Sequence, residues 1–284
     1  MINSKQLFHE FISKITLPVD PDELRTLVYR VLENQLGLSK TDILAEKSVH
    51  LTSEINERLN EFIGRINRHE PLQYILHEAD FYGRKFFVDK GVLIPRPETE
   101  ELVTLVVETV QPHVVNPAIL DIGTGSGCIP ITLALELSTA QLLALDKSRE
   151  ALTIAEKNAR LLNAKVDFFE HDILANSPAL HGLDAIVSNP PYIPVEEKHT
   201  MLANVTDFEP HMALFVENKD PFIFYTAIAK AGVACLKQTG FVAVEINERF
   251  GRETKDIFTG AGYRNVTIEK DLSGKDRFIV AWKN

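Results

Sequence analysis

The sequence predicts an α/β fold in which a mostly parallel sheet is covered on both faces by helices and is preceded by a small helical domain. Two observations carry this. Beyond Pro97, short apolar runs alternate with helical stretches, the pattern that builds βαβ units and hence parallel sheets. Over the first 75 residues, apolar residues recur only with helical spacing. A chain of 284 residues also agrees with roughly two domains of about 150 residues.

Composition narrows the class. Residues are 45% hydrophobic and 25% charged, which is enough to bury a core and excludes disorder, collagen and coiled coil as global descriptions. Thirty Lys and Arg against forty Asp and Glu leave a net charge of -10. Non-specific affinity for nucleic acid rests on cations that neutralise phosphates, so bare DNA or RNA is not the expected partner. Cys128 and Cys235 form no CxxC pair, and the nine histidines show no HxH or HxxxH spacing, so neither a disulfide nor a metal centre is indicated. A reducing cytoplasm fits. Residues 1–10 lack a signal-peptide pattern and no run reaches the roughly 18 apolar residues of a membrane span, so a soluble, unprocessed protein is expected.

The elements follow in order. Leu7, Phe8, Phe11, Ile12 and Ile15 share one helical face. Asp20, Pro21 and Glu23 have the spacing of a capping box with proline in the first turn, and Gly37 ends a helix predicted over 21–36. Ile55, Leu59, Phe62, Ile63 and Ile66 mark a further helix that stops before Pro71, and no strand is expected in this region. Residues 81–94, aromatic and β-branched runs broken by Gly83 and Gly91, read as a β-hairpin joining two domains. Boundaries are therefore set at 1–75, 76–95 and 96–284. Strands are predicted at 118–122, 141–146, 166–170, 183–188 and 240–246, with helices at 148–163 and 221–237. Two last strands, 263–270 and 276–282, are placed as an antiparallel pair across Ser273-Gly274-Lys275, making seven in all.

Two constellations carry chemistry. After the first sheet strand comes Gly123-Thr124-Gly125-Ser126-Gly127 at a helix start, where glycines let the backbone turn and a ligand approach main-chain N–H groups. Its GxGxG spacing, with no Lys-Ser/Thr following, fits neither the dinucleotide fingerprint nor the P-loop. Asp146, at the tip of the second strand, is placed either to accept from ribose hydroxyls or to cap the helix beginning near Ser148. Asp172 and Ile173 follow the third strand, where an acid can accept from an exocyclic amine of adenine and an apolar neighbour can pack on the ring.

The fourth strand runs into Asn189-Pro190-Pro191-Tyr192. The prolines remove two backbone donors and stiffen the loop, so it is either a strand-terminating turn or a site for a planar substrate bearing an NH2 group. In the second reading Asn189 Oδ1 and a main-chain carbonyl accept the two hydrogens while Tyr192 stacks on the face. Glu245, near the end of the fifth strand, points towards the same edge. Cys128 reads as a small packing residue, and Phe222, Phe224 and Tyr225 as helix packing.

Asn189-Pro190-Pro191-Tyr192 together with the glycine loop resembles the S-adenosylmethionine-dependent methyltransferases that alkylate conjugated amino groups. Glu70-Pro71-Leu72-Gln73-Tyr74-Ile75-Leu76, Phe81-Tyr82-Gly83 and Val92-Leu93-Ile94-Pro95-Arg96-Pro97-Glu98-Thr99-Glu100 resemble the PrmC/HemK family of peptide chain release factor glutamine methyltransferases, over essentially the whole chain. The resemblance implies a seven-stranded Rossmann-like methyltransferase sheet and a helical substrate-recognition domain. It implies methyl transfer from S-adenosyl-L-methionine, giving S-adenosyl-L-homocysteine, to the glutamine side-chain nitrogen of a release factor's Gly-Gly-Gln motif. Gly123, Thr124, Gly125, Ser126, Gly127, Asp146, Asp172, Ile173 and Asn189 carry over as cofactor contacts. Asn189, Pro190, Pro191 and Tyr192 carry over as the substrate clamp, with Asn189, Pro190 and Tyr192 catalytic. The residues from Arg96 to Glu100 lie near the cofactor in the family, although Pro97 also fits a helix start. A cytoplasmic monomer without a DNA or membrane partner is expected. A ribosomal-protein glutamine or a DNA adenine are the alternative substrates, the second disfavoured by the acidic balance and by the length taken up by the helical domain. His77 stands where the family usually has Gly, and Ile173 where an aromatic residue is common.

Overall fold

The computed structural model describes residues 1–111 and 114–284, which divide into two compact units. The first comprises Met1–Glu78 with Leu202–Phe208, the second Ala79–Met201 with Glu209–Asn284.

In the first unit, strand β1 (Ile2–Asn3) leads into helices α1 (Ser4–Lys14), α2 (Pro21–Leu36) and α3 (Lys40–Leu44). Strand β2 (Ser48–Val49) and helices α4 (Ser53–Asn67) and α5 (Leu72–Leu76) follow. The strand-free expectation is corrected by β1 and β2, which pair antiparallel over two residues each, too short to leave an alternating pattern. Helix α2 starts at Pro21 and ends on left-handed Gly37. Its cap differs from the expected box: the Asp20 side chain accepts from Asp22 N, whereas Ser39 and Asp42 form a reciprocal box on α3. An Asp cap reaches the nearest free N–H in a short Asx turn. The apolar stripes of α1, α2 and α4 meet in one core around Phe11, Val31, Leu32 and Ile66. Arg65 on α4 grips both carboxylate oxygens of Glu70 at 2.9 Å and so fixes the approach to α5.

The second unit opens with a hairpin, β3 (Ala79–Phe81) and β4 (Arg84–Phe86), turning at Tyr82-Gly83. It is shorter than the predicted 81–94, because residues 87–94 leave the ladder and run without strand structure to helix α6 (Pro97–Val110). Then come β5 (Ala118–Ile122), α7 (Cys128–Glu136), β6 (Gln141–Asp146), α8 (Arg149–Leu161), β7 (Asp167–Glu170) and β8 (Leu183–Ser188). A pair of two-residue strands, β9 (Ile193–Pro194) and β10 (Phe215–Val216), brackets in sequence a 3-10 turn at Val195–Thr200, the short helix α9 (Ala203–Thr206), which belongs to the first unit, and the short helix α10 (His211–Leu214). Helix α11 (Ile223–Cys235), β11 (Leu236–Glu245), α12 (Gly251–Gly260), β12 (Arg264–Lys270) and β13 (Asp276–Trp282) complete it. Strand β11 begins at Leu236 rather than 240, taking residues assigned by pattern to the preceding helix. Cys235 and Leu236 are both buried, so no polar break marks the boundary, and the register shifts between Leu236 and Phe241.

Seven strands form one sheet in the order β12-β13-β11-β8-β5-β6-β7, parallel except where β13 pairs with β11 and β12. Successive residues alternate faces as strand geometry demands. Ile119, Val187, Phe241 and Ala243 join the core beneath α6 and α7, whereas Leu120, Ile186, Val242 and Val244 join the core beneath α11 and α12. Among the described residues no helix is long and apolar enough to cross a membrane.

His77 caps α5 at φ 53°, ψ 36°, in the left-handed region where a Cβ costs about 1–2 kcal/mol and glycine costs little. This is the position where the family resemblance leads one to expect Gly. His77→Gly is expected to raise stability by about 0.5–1 kcal/mol, the relieved strain less the added entropy of the unfolded chain, as read from urea unfolding.

Candidate active site

Strand β5 lies between β6 and β8, and the chain leaves β5 towards β6 but leaves β8 towards β11 on the opposite side, so a crevice opens beyond the carboxyl ends of β5 and β8. Ser188 Oγ donates to Ile122 O at 2.6 Å and ties the two strand ends together. A cavity of about 300 Å³ begins there, with Ile122 and Ser188 in its floor.

The glycine loop follows β5. Gly123 and Gly125 line the cavity at φ 77° and 53°, and a Cβ on either would meet no protein atom within 4 Å. Thr124, Ser126 and Gly127, expected as cofactor contacts, do not line it. Thr124 and Ser126 are buried side chains facing the protein, and a Cβ on Gly127 would come within 2.9 Å of Ile131. These three build the loop so that Gly123 and Gly125 present main chain to the cavity. Behind it lies Asn158 on α8, fully buried, which sequence reasoning missed. Its Oδ1 accepts from Phe87 N at 2.7 Å, and its Nδ2 donates to Phe87 O and Ser126 O, each at 2.9 Å. One amide thus joins the glycine loop to the 87–93 segment, whose Gly91, Val92 and Leu93 form the opposite wall.

Asp146 ends β6 in the cavity wall. Oδ2 accepts from Gly125 N at 2.9 Å and Oδ1 from Ser148 N at 2.8 Å, while Ser148 itself caps α8. Each oxygen keeps a second lone pair. Burial raises its pKa and the backbone donors oppose the rise. Asp172 and Ile173 also line the cavity. Lys147 lies 2.7 Å from Asp172 Oδ2, and that bond is the main reason the Asp172 carboxyl sits below its ordinary value. Phe224, read from the sequence as packing, does pack against the core beneath α11 and also lines the cavity. It lies in the first turn of α11, where one face of the helix looks onto the crevice.

Asn189, Pro190 and Pro191 line the same cavity. Tyr192 does not: its ring packs against the core beneath α11 and its hydroxyl donates to Glu245 Oε1 at 3.0 Å. Asn189 Nδ2 donates to Thr99 Oγ1 at 3.0 Å, and Thr99 Oγ1 donates to Glu245 Oε2 at 2.7 Å. Burial is the largest influence raising the Glu245 pKa, opposed by the Thr99 and Tyr192 hydroxyls and the Arg277 charge. Tyr192 is pushed far above its ordinary range by burial and by Glu245, so it stays a neutral donor. Buried Glu209 accepts from Ile94 N at 3.2 Å and holds Arg96 at 2.6 Å, pinning the 91–96 segment to the loop that carries Pro210 and Met212. Cys128 is buried and its thiol is pushed up to about 12, which suits packing.

Asp121, one residue before the end of β5, escaped the sequence reading because it sits inside an apolar run. It is fully buried, and among the described residues neither of its oxygens nor the nearby Thr124 hydroxyl has a partner at hydrogen-bonding geometry.

A seven-stranded sheet of this order, with a glycine loop after β5 and an acid at the tip of β6, is a Rossmann-like fold. The sequence matches the Methyltransferase small domain over residues 99–207 and the PrmC N-terminal domain over 20–76. A methyltransferase from Pyrococcus furiosus shares the fold, with a TM-score of 0.53 and 15% identity over 82% of this chain and all of that one. The release factor glutamine methyltransferase of Bacteroides thetaiotaomicron is 42% identical over 266 residues, 92% of this chain and 93% of the relative. That of Flavobacterium psychrophilum is 38% identical, covering 95% of each chain. The chain belongs to the release factor glutamine methyltransferase family.

Burial pushes the Asp121 carboxyl from 3.8 to about 7; the neighbouring Thr124 hydroxyl eases the rise and the Asp146 charge adds to it. The folded-state value lies above the unfolded one, so the charge costs nothing below pH 4 and its full amount above about pH 7. Asp121→Asn removes that dependence. Its unfolding free energy is expected to gain on the native protein between pH 4 and 8 by a few kcal/mol at most, at 1.36 kcal/mol per unit, with parallel curves contradicting the assignment.

Proposed function

We propose that this chain transfers a methyl group from S-adenosylmethionine to the side-chain amide nitrogen of glutamine in the Gly-Gly-Gln motif of peptide chain release factors, in the cytoplasm. Membership in the family supports the substrate. One observation supports the chemistry: Asn189 and two prolines stand in the same cavity as Asp146 and the glycine loop.

The residues present fit the cofactor. Gly123 and Gly125 form a cradle that any side chain would fill, suited to the amino-acid end. Asp146 has two lone pairs to offer ribose hydroxyls. Ile173 and Leu174 offer an apolar wall to adenine, and Asp172 Oδ1, already accepting from Leu174 N, has a lone pair left for its amine. When bound, the cofactor supplies an electrophilic methyl group on a sulfonium.

An amide nitrogen is a poor nucleophile because its lone pair is delocalised into the carbonyl. With Nδ2 committed to Thr99, the atom Asn189 offers a substrate is the acceptor Oδ1. Pro190 brings a main-chain carbonyl and no N–H. Two acceptors on the substrate's N–H bonds draw density onto nitrogen and stabilise positive charge developing there. Pro190 and Pro191 hold these acceptors still, so the rest of the effect is positioning. No residue in the cavity is needed as a general base, since the nitrogen becomes acidic once alkylated and can release its proton to water.

The test incubates the protein with methyl-labelled S-adenosylmethionine and, separately, a release factor, its Gln-to-Ala variant and unmethylated DNA. Label is expected on the first alone; label on DNA and none on release factor overturns the reading. Asn189→Ala is expected to lower turnover about 100-fold, the scale of losing one preorganised polar contact to developing charge, while S-adenosylhomocysteine affinity by calorimetry changes little.

A further inference from the structure

Asn189 serves as an acceptor only if its amide is turned one way round. Rotated by half a turn about its last bond, it would present NH2 to the substrate's NH2 and repel it. The two orientations have nearly the same shape, so packing does not choose between them.

The residues behind Asn189 make the choice. Thr99, in the first turn of α6, is 2% exposed, and Glu245, at the end of β11, is 1% exposed. The threonine hydroxyl has one proton and gives it to Glu245 Oε2 at 2.7 Å. Its oxygen can then only accept from Asn189, and of the two amide heteroatoms only Nδ2 donates. Tyr192 donates to the other carboxylate oxygen at 3.0 Å, so Glu245 is the terminal acceptor of both arms. Tyr225 Oη donates to Glu245 O at 3.2 Å and holds the backbone beneath. The chain of bonds joins residues 90 and 146 positions apart and closes directly behind the substrate loop.

We propose that Glu245 is a positioning residue which, acting through the Thr99 hydroxyl, sets the direction of the Asn189 amide and so makes Oδ1 the acceptor for the substrate nitrogen. The inference rests on the reading of Asn189 given above. It also assigns Tyr192 a place: the ring stands behind the loop, tied to the same carboxylate.

Thr99→Val keeps the shape and removes the relay, and Thr99→Ser restores the hydroxyl. For Thr99→Val, kcat on release factor is expected to fall about 10- to 100-fold, with S-adenosylhomocysteine affinity unchanged; Thr99→Ser should stay within about 3-fold of the native protein. Glu245→Met is expected to lose kcat by the same route, and the double variant with Thr99→Val to fall no lower than the worse single one, because both cut one chain. A purely structural role would instead lower the unfolding midpoint and leave kcat per folded molecule native. Native kcat in Thr99→Val, failure of Thr99→Ser to restore it, or additive losses in the double variant would overturn the proposal. If the native protein labels no release factor, or Asn189→Ala turns over normally, the underlying reading fails. If the native protein labels release factor and Asn189→Ala turns over poorly, but Thr99→Val is native, this inference alone falls.

Discussion

Two neighbouring parallel strands, β5 and β8, end side by side, and the chain leaves them in opposite directions. Everything in the site depends on that divergence. Neither connection can cover the gap, so the carboxyl edge stays open between them, and the Ser188 to Ile122 hydrogen bond keeps its floor from spreading. The loop after β5 turns on left-handed glycines and presents main chain. The loop after β8 is stiffened by two prolines and presents carbonyls and one amide. Two loops of different chemistry therefore face a single cavity.

Holding those loops requires polar groups deep in the protein, and their energetics differ. Asn158 is fully satisfied, with three hydrogen bonds to main chain, and Glu245 accepts two from hydroxyls and lies near the charge of Arg277. Satisfied networks of this kind rigidify a site, whereas a half-satisfied one is costly. Asp121 belongs to the costly kind, a buried carboxyl that among the described residues has no partner at hydrogen-bonding geometry, with a pKa raised to about 7. Stability is spent here, one residue before the glycine-loop end of β5, while the substrate loop rests on Asn189, Thr99, Tyr192 and Glu245, all of them bonded.

The parts of this arrangement that were legible in the sequence are those with local signatures. Alternating apolar runs mark the seven strands, and Gly123, Gly125, Asp146, Asp172, Ile173, Asn189, Pro190 and Pro191 all line the cavity they were expected to form. The remainder is non-local. Asn158 looks like an ordinary helix residue, and Thr99 was marked only by the family motif and not as a partner of Asn189, since their partners lie 71 and 90 positions away and leave no trace in spacing. Tyr192 looked like a stacking ring because aromatic residues next to a substrate loop suit that role, and only the position of Glu245 turns it inward. Thr124, Ser126 and Gly127 share the glycine motif with the cavity residues but pack into the protein, the first two as buried side chains and Gly127 against Ile131 and Ala155. His77 was visible as a departure, and its left-handed backbone supplies the physical reason that glycine suits the position.

The proposed function places a methyl donor on Asp146 and the glycine loop, and an amide on Asn189 and Pro190, in one cavity. Its most direct test is a crystal structure of the protein with S-adenosylhomocysteine and a peptide containing Gly-Gly-Gln. The expected result puts the glutamine side-chain nitrogen about 2.7–3.2 Å from both Asn189 Oδ1 and Pro190 O, with the ribose hydroxyls on Asp146. A glutamine bound away from Asn189, or an Asn189 amide facing it with Nδ2, would contradict the account.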